Sequence, residues 1–366
     1  MSKVWAPAGS GRGPGRERCG ATEDARREAA AARITEAMKA IVQTGYGPPE
    51  RVLRLQEIEP PALRAGDALI RVRATSVNTP DWVTVAGAPY VLRPVFGLRA
   101  PRTPVRGTDV AGVVEAVAGD VTGLTAGDEV FGTSWAGTLS TRGTFAELTA
   151  VPASGLIAKP AGLSFEEAAA SVMSGLTALA AMQSLGNVTP GMRVLVNGAS
   201  GGVGTFAVQI AGALGAEVTG VCSTRNLDLV RSLGAAHVID YTQADFTRGG
   251  ERYDLILDNV LNHPPAATAR VLAPGGVLMP NSVGNTGGLF AGLPRMALAA
   301  LKGLGSTRVQ FVNWKVSRAS LRSLATWLES GHARVVISEV HPLAGAARAV
   351  AHMLGHHAVG KIAISV

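Results

Sequence analysis

The segment Arg193–Asn226, RVLVNGASGGVGTFAVQIAGALGAEVTGVCSTRN, decides the fold. It passes from the apolar run RVLVN through a glycine-rich turn into a helical pattern over 202–214, and then into a second apolar run, EVTGVC. A strand, a glycine-rich loop, a helix and a second strand at this spacing predict a βαβ unit that binds a dinucleotide at the helix N-terminus. The residues of the turn that we expect to contact the cofactor are Ala199, Ser200, Gly201, Gly202, Val203 and Gly204.

Two features of this turn need an explanation. Ala199 replaces the first glycine of the usual cradle, but the approach of the pyrophosphate depends mainly on Gly201 and the packing of helix on strand on Gly204. The turn also fits the G-x-S-x-G elbow of a serine hydrolase, with Ser200 as nucleophile and a later aspartate and histidine at 258 and 263. No histidine lies before His237, so an upstream oxyanion loop of the His-Gly-Gly type is excluded and the hydrolase is a remote alternative.

The choice of cofactor is predicted from CSTRN, where the second strand ends. An NAD enzyme usually places an acid at this point for the ribose 2′-hydroxyl, whereas this chain has Ser223, Thr224 and Arg225. Two hydroxyls and a guanidinium suit a 2′-phosphate, which predicts NADPH. The alternative is that Arg225 only caps an exposed turn.

Further cofactor contacts are expected where other strands and helices of the α/β half end, because ligands collect at the carboxyl ends of parallel strands. The candidates are Thr177, Tyr241, Asn259, Asn281, Ser282 and Lys361. For Thr177 the alternative is packing within its own helix. For Lys361, which is expected to reach a cofactor phosphate, the alternative is a solvated position on a strand.

The rest of the chain shows two patterns. Over 38–160, short β-rich runs separated by turns such as PPALRAGD predict an antiparallel, barrel-like domain. Over 161–334, apolar strands alternate with helices, which predicts an α/β fold with a doubly wound parallel sheet of the Rossmann type. The segment 335–366 is expected to return to the first domain. Residues 1–37 predict a disordered extension or a start codon assigned too early.

Composition narrows the functional class. The 366 residues are 47% hydrophobic and 17% charged, as in a globular protein, and the net charge of +7 is spread without a dense basic run, so no nucleic-acid partner is expected. No apolar run approaches the roughly 20 residues of a membrane span, so no stable membrane insertion is expected. Two cysteines, Cys19 and Cys222, provide no disulfide framework and favour a cytoplasmic location.

Several stretches carry a family resemblance, namely MKAIVQTGYGPPE, ATSVNTPDW, GTDVAGVVEAV, GDEVFG, LGAAHVIDY, GKIAISV and the segment with the glycine-rich turn. Through these motifs, residues 38–366 resemble the zinc-independent quinone oxidoreductase-like branch of the medium-chain dehydrogenase/reductase superfamily. The resemblance implies a GroES-like catalytic domain, a Rossmann domain, an active site in the cleft between them, and a homodimer.

The resemblance also bears on metal content. Zinc-dependent members hold their catalytic zinc with two cysteines and a histidine, and the matching positions here are Asn78, Thr108 and, less closely, Ser174. The chain agrees independently, because residues 38–160 contain neither cysteine nor histidine. Zinc prefers thiolate, imidazole and carboxylate ligands, so no metal is expected.

The expected mechanism follows from the expected absence of zinc. Without a metal to polarise a simple carbonyl, the acceptor must take hydride readily, as quinones and α,β-unsaturated carbonyls do. The chain is therefore predicted to be an NADPH-dependent, zinc-free reductase of such acceptors. The alternatives are an NADP-linked alcohol or aldehyde dehydrogenase and a non-catalytic NADPH-binding protein.

Three residues are candidates for the catalytic site. Asn78 is expected to contact the nicotinamide or the substrate oxygen, with a turn at a strand end as the alternative. Tyr90 follows Gly87 where related enoyl reductases place a proton-donating tyrosine, with a structural tyrosine as the alternative. Asp81 either orients Asn78 or caps a helix.

Overall fold

The structure of the chain is a computed structural model that describes residues 1, 36–135, 142–282, 293–305, 307–313, 315–355 and 358–366. The predicted N-terminal extension therefore lies almost entirely outside the described residues. The segments on which the fold and the candidate site depend, 38–135, 142–282, 315–355 and 358–366, lie within them.

The N-terminal part of the chain is mainly antiparallel. Its strands are β1 (Met38–Gln43), β2 (Leu53–Ile58), β3 (Asp67–Ser76), β4 (Asp109–Val117), β5 (Glu129–Thr133), β6 (Leu148–Pro152) and β7 (Leu156–Ala158). Its helices are α1 (Pro49–Val52), α2 (Thr79–Ala86) and α3 (Arg93–Phe96). β1 pairs with β2, while β3 pairs with both β4 and β6, and β5 continues the sheet to β7. In β3 the apolar side chains are buried, Arg71 is half-buried and Arg73 is exposed.

The middle of the chain forms a six-stranded, fully parallel sheet. Its strands are β8 (Arg193–Asn197), β9 (Glu217–Cys222), β10 (His237–Asp240), β11 (Tyr253–Asp258), β12 (Leu272–Pro280) and β13 (Arg308–Val309). Its helices are α4 (Phe165–Leu179), α5 (Gly202–Ala213), α6 (Leu227–Ser232), α7 (Pro265–Ala269), α8 (Leu293–Lys302) and α9 (Arg318–Glu329). The strand order β10-β9-β8-β11-β12-β13 is that of a Rossmann sheet, so the predicted fold class is confirmed.

The C-terminal segment returns to the first sheet, as predicted. It consists of β14 (Ile337–Pro342), α10 (Ala346–Leu354) and β15 (Lys361–Ser365). β15 lies between β14 and β3, antiparallel to β3, and completes a seven-stranded sheet. The last strand of the chain therefore reaches the point where β3 ends and α2 begins. The domain boundaries at 160/161 and 334/335 stay a prediction.

Helix α4 connects the two sheets. Ser164 and Glu167 cap its N-terminus reciprocally. The helix packs on α5 of the Rossmann domain and on β3, β4 and β15 of the first sheet. It continues as a π-helical turn to Leu185, and this 21-residue stretch is apolar enough to span a membrane, with 83% of its most apolar window buried inside the protein. The expectation that no apolar run approaches this length is therefore wrong, because a core helix between two sheets must be apolar on most sides.

Candidate nucleotide and catalytic site

The glycine-rich turn forms a tight loop between β8 and α5. Gly204 lies against this loop so closely that an added Cβ would collide with the carbonyl oxygen of Gly198 and lie 2.8 Å from the Cα of Ala199. Gly201 is the N-cap of α5, and no side chain among the described residues caps the helix there. The first backbone N–H groups of a helix are unsatisfied within it and attract anions. The turn therefore has the shape and the donors that fit a dinucleotide pyrophosphate.

Ser200 holds the turn in place rather than forming a triad. Its hydroxyl accepts a hydrogen bond from Asn226 Nδ2 at 3.0 Å, and its carbonyl accepts one from the N–H of Gly360 at 2.8 Å. His263, the histidine that a hydrolase would need, has one ring nitrogen 3.2 Å from Asp245 and the other 3.0 Å from Asn262. The structure thus does not bring the hydrolase residues together.

The residues predicted to choose the cofactor lie together at the end of β9. Ser223, Thr224, Arg225 and Tyr241 line one pocket of about 300 Å³. Tyr241 is 52% exposed and Arg225 is exposed at the rim, so a ligand can reach both side chains. The structure therefore brings a guanidinium and two hydroxyl residues together at this strand end, and the choice between NADPH and NADH stays a prediction.

An acid that sequence reasoning missed borders this pocket. Asp240 ends the neighbouring strand, β10, and accepts the Thr224 hydroxyl at 2.6 Å. That bond, with others from Thr242 and Gln243, holds the pKa of Asp240 below its usual range. The hydroxyl of Thr224 is therefore directed at a carboxylate, and the attraction for a phosphate rests on Arg225 and Ser223. In the sequence this acid is the last residue of HVID, and it comes to lie beside the end of β9 only through the pairing of β10 with β9.

Side-chain amides line the carboxyl ends of the central strands. Asn259 donates to the carbonyl of Asn197 at 3.2 Å, and Asn281 donates to Oδ1 of Asn259 at 2.7 Å. Ser282 follows and is half-buried. Asn197, which the sequence analysis did not single out, donates to Asp258 at 2.8 Å. Polar side chains thus lie together at this edge, and their contacts to a cofactor stay a prediction.

Thr177 is buried in α4, and its hydroxyl donates to the carbonyl of Met173 at 2.7 Å. This is the bond expected for a threonine that packs within its helix. Its predicted contact with a cofactor phosphate is not tested by this geometry.

A buried polar cluster forms where β3, β4 and β15 meet. The amide of Asn78 donates to Asp109 Oδ2 at 2.8 Å and to the Thr108 hydroxyl at 3.0 Å. Its oxygen accepts the ammonium of Lys361, which also donates to the Val77 carbonyl at 3.0 Å. Asn78 is thus held by hydrogen bonds at both ends of its amide. Its predicted contact with nicotinamide or substrate stays a prediction.

Lys361 is only 3% exposed, so the solvated alternative is wrong. Its side chain is buried because α4 packs on β15 and the start of α5 lies beside the lysine stem. Burial lowers the pKa of Lys361, and Asp109, with Oδ2 at 4.0 Å, opposes that shift. Burial likewise raises the pKa of Asp109, and Lys361 opposes it. Its ammonium donates to Asn78 and Val77, and its expected contact with a cofactor phosphate stays a prediction.

The cluster adjoins the cradle. A Cβ added to Gly202, at the start of α5, would lie 2.9 Å from Ser174 Oγ and 3.0 Å from Lys361 Cδ. The three positions that match the zinc ligands of related enzymes therefore carry an amide, Asn78, and two hydroxyls, Thr108 and Ser174, beside an ammonium. None of these is a thiolate, imidazole or carboxylate, and a cation next to the site disfavours a second one. Zinc does not fit this set, and within the described part of the chain no three His, Cys, Asp or Glu residues are grouped as a metal site.

Asp81 acts as a helix cap. Its carboxylate accepts the N–H of Asn78 at 2.8 Å and the N–H of Gly107 at 3.0 Å, so the capping interpretation is confirmed. The side chain is fully buried, and this burial raises the pKa of Asp81 to about 7. Asp81 thereby orients the backbone, not the amide, of Asn78.

Tyr90 lies on the outside of this region and is 44% exposed. The guanidinium of Arg93 lies over its ring at 4.3 Å and over the ring of Tyr46 at 4.7 Å. Tyr46 and Arg93 were not predicted, because nothing in their local sequence shows that they stack. The role of Tyr90 as a proton donor stays a prediction.

The chain matches two family models, the alcohol dehydrogenase GroES-like domain over residues 64–161 and the zinc-binding dehydrogenase domain over residues 233–364. It is 30% identical over 338 residues to the chloroplastic quinone-oxidoreductase homolog of Spinacia oleracea, an alignment that covers 89% of this chain and 98% of that protein. It is 31% identical over 322 residues to a trans-enoyl reductase of Aspergillus terreus, which covers 81% of this chain and 86% of that protein. The quinone oxidoreductase structure from Coxiella burnetii superposes with a TM-score of 0.79 at 27% identity, covering 90% of this chain and 100% of that chain.

Proposed function

The chain belongs to the quinone oxidoreductase-like branch of the medium-chain dehydrogenase/reductase superfamily, and on this premise we propose that it is an NADPH-dependent, zinc-free reductase of quinones or α,β-unsaturated carbonyls. Membership already makes it an NAD(P)-dependent oxidoreductase with a nicotinamide cofactor and a small-molecule substrate. The observation that carries the proposal is the position of the dinucleotide cradle against a buried cluster that contains an ammonium and no zinc-type ligand set.

The residues that would hold the cofactor are those of the cradle and of the strand ends. The N–H groups at the start of α5, from Gly202 to Gly204, would bind the pyrophosphate. Asn259 and Asn281 line the edge of the sheet where ligands of this fold collect. A bound nicotinamide in its reduced form supplies the hydride.

The preference for NADPH over NADH is supported by the pocket at the end of β9. Arg225 would pair with a 2′-phosphate, and Ser223 would donate a hydrogen bond to it. Asp240 acts in the opposite direction, because an ionised carboxylate repels a phosphate, but its oxygens are occupied by donors from Thr224, Thr242 and Gln243. The proposed preference for NADPH therefore rests on the guanidinium of Arg225 outweighing this carboxylate.

The substrate class is supported by the chemistry of the site and by two relatives, one named a quinone-oxidoreductase homolog and one a trans-enoyl reductase. A site without a Lewis acid stabilises developing negative charge only through hydrogen-bond donors. Acceptors that delocalise that charge onto oxygen within their own conjugated system place the smallest demand on such a site. Quinones and enones are acceptors of this kind.

A homodimer and a cytoplasmic location complete the proposal. β13 is the last strand of the Rossmann sheet among the described residues, and the adjoining helix α8 exposes Leu298 and Leu301. An exposed strand edge with apolar side chains nearby suits an isologous contact between two copies. Light scattering at micromolar concentration should give twice the mass of the chain, and a monomer would contradict this part. The cytoplasmic location stays a prediction, and the spinach relative is named as chloroplastic.

The proposed activity is tested by NADPH oxidation with a panel of quinones, enones, aldehydes and ketones, repeated with NADH. We expect turnover with quinones or enones, a preference for NADPH, and no response to chelator. Turnover of aldehydes or ketones alone would favour the alcohol or aldehyde dehydrogenase. Tight NADPH binding without turnover of any acceptor would identify a non-catalytic cofactor-binding protein.

A further inference from the structure

We propose that Lys361 is a positioning residue for hydride transfer, whose buried ammonium fixes the Asn78 end of β3 against the cofactor cradle. The inference rests on the proposed function, because it concerns the alignment of the cofactor with its acceptor. It differs from a direct contact between Lys361 and a cofactor phosphate, because it rests on the hydrogen bonds of the ammonium to Asn78 and Val77.

The first step is the arrangement of charges around Asn78. The amide of Asn78 lies between a carboxylate and an ammonium, with its nitrogen donating to Asp109 Oδ2 at 2.8 Å and its oxygen accepting from Lys361. Each end of the amide dipole therefore faces the opposite charge. Ser76 adds a further donor to the same Asp109 oxygen at 2.8 Å, and the carbonyl of Val77 accepts from Lys361 at 3.0 Å. This pattern fixes both the position and the flip of the Asn78 amide.

The second step is the other end of Lys361. The preceding residue, Gly360, donates its N–H to the Ser200 carbonyl at 2.8 Å and forms a parallel bridge with Gly201. The Lys361 side chain then passes Gly202, whose Cα leaves room for the lysine stem because it bears no Cβ. One residue of β15 is thus attached through its neighbour to the cradle and through its ammonium to Asn78. A displacement of either region must move the other.

The third step is the cost of the arrangement. Lys361 and Asp109 are both buried, and removing two charges from water is expensive. The Asp109 oxygen nearest the ammonium, Oδ2, is still 4.0 Å from Lys361 Nζ. Buried ion pairs are weak contributors to stability and are best understood where they specify one arrangement. Here the arrangement specified is the register between the two domains.

The test compares Lys361→Met with Lys159→Met, a matched control. Lys159 is also a buried lysine: its side chain is 5% exposed, its ammonium donates to the Leu163 carbonyl at 2.8 Å, and Glu129 lies 3.2 Å away. It is not part of the candidate site. Methionine keeps most of the aliphatic stem and removes the charge in both variants. The double variant Asp109→Asn/Lys361→Met removes both charges of the cluster and serves as a foldable comparison should the single variant fail to fold.

Four quantities are measured on each full-length protein: kcat with the best acceptor, the Kd for NADPH by fluorescence, Tm, and hydrogen exchange over residues 76–82. We expect Lys361→Met to lower kcat about 100-fold, because a misplacement of the reactants by about 1 Å has an effect of this size. The Kd for NADPH should change less than about threefold. Hydrogen exchange over residues 76–82 should be faster in Lys361→Met than in the wild type, with both proteins measured in the absence of cofactor and acceptor. The double variant should recover Tm but not kcat, and Lys159→Met should lower Tm without changing kcat more than about twofold.

Three outcomes would overturn the inference while the proposed function stands. The first is that the wild type turns over an acceptor and that the kcat of folded Lys361→Met lies within about threefold of the wild-type kcat. The second is a double variant that recovers kcat together with Tm, which would show that charge balance alone matters. The third is unchanged hydrogen exchange over 76–82. A wild-type protein that binds NADPH and turns over no acceptor would overturn the proposed function and this inference together.

Discussion

The cradle and the cluster beside it are held together in different ways. The turn over 198–204 is held by backbone groups, for example the N–H of Gly201 on the Gly198 carbonyl at 3.1 Å, and by the absence of a Cβ at Gly204. The Asn78–Asp109–Lys361 cluster is held by side chains of opposite charge, which lie 31 and 283 residues apart from Asn78 in the chain. The first region is therefore sensitive to added atoms and the second to lost charges.

The largest effect should come from adding atoms to the cradle. Gly204→Val would place a branched side chain against the Gly198 carbonyl and Ala199, where no space exists. We expect a loss of about 4 kcal/mol in the free energy of unfolding, together with loss of NADPH binding. Gly119→Ala is the control, because a Cβ there meets nothing within 4 Å. Chemical denaturation and fluorescence titration measure both, and NADPH binding by Gly204→Val at wild-type affinity would refute the packing role.

The cluster should respond to charge and tolerate shape. Asp109→Asn is nearly isosteric but leaves the buried Lys361 ammonium without its carboxylate. We expect a loss of about 3 kcal/mol, at the lower end for a broken buried pair because Lys361 keeps two other acceptors. Asp228→Asn, which breaks the exposed pair with Arg231, should cost less than about 0.5 kcal/mol. Equal losses in urea unfolding would contradict the distinction between the two regions.

Asp81 should give the fold a dependence on pH. Burial raises the pKa of Asp81 to about 7, so the folded chain binds this proton more tightly than the unfolded chain does. The stability from this group is full below about pH 4 and is lost as the pH rises through about 7. Asp81→Asn should remove on the order of 2 kcal/mol of that decline, and Asp109, with its raised pKa, should retain part of it. Urea unfolding at pH 4.5, 6 and 7.5 measures the slope, and an unchanged slope would mean that Asp81 stays ionised.

A smaller effect should separate the two cofactors. Arg225→Asp replaces the guanidinium at the rim of the β9 pocket with a second acid beside Asp240. We expect the Kd for NADPH to rise about tenfold or more and the Kd for NADH to change little, because only NADPH carries the 2′-phosphate. Arg231→Asp on α6 makes the same charge change outside the pocket lining and is the control. A wild type without preference for NADPH would show that the CSTRN segment does not select the cofactor.

The smallest effect should come from Ser200. Its hydroxyl accepts one hydrogen bond, from Asn226, and Ser200→Ala should cost about 1 kcal/mol or less in stability. Reductase kcat should change less than about threefold. The informative control is hydrolysis of an activated ester by the wild type. Esterase activity that disappears in Ser200→Ala would contradict the assignment of the turn to a dinucleotide.

The cradle was predictable and the cluster was not, for physical reasons. The turn, its helix and the flanking strands are adjacent in sequence, so spacing and glycine positions identify them. The destination of the Lys361 ammonium depends on the order of β14, β15 and β3, and GKIAISV alone does not distinguish an inward from an outward lysine. Asp240 was missed for the same reason, since it borders the cofactor pocket only through the pairing of β10 with β9. The match of Asn78, Thr108 and Ser174 to the zinc-ligand positions of related enzymes predicted where the cluster lies. It did not predict that the Lys361 ammonium lies there.

The central claim is that this site transfers hydride from NADPH without a metal. Its most direct test is a stopped-flow single turnover, in which chelator-treated protein loaded with NADPH is mixed with the best acceptor of the quinone and enone panel. We predict that the NADPH absorbance decays in one turnover, that deuterium at C4 of the nicotinamide slows the decay, and that added Zn²⁺ leaves the rate unchanged. Absence of decay, absence of the isotope effect at a rate limited by chemistry, or a rate that depends on Zn²⁺ would contradict the claim.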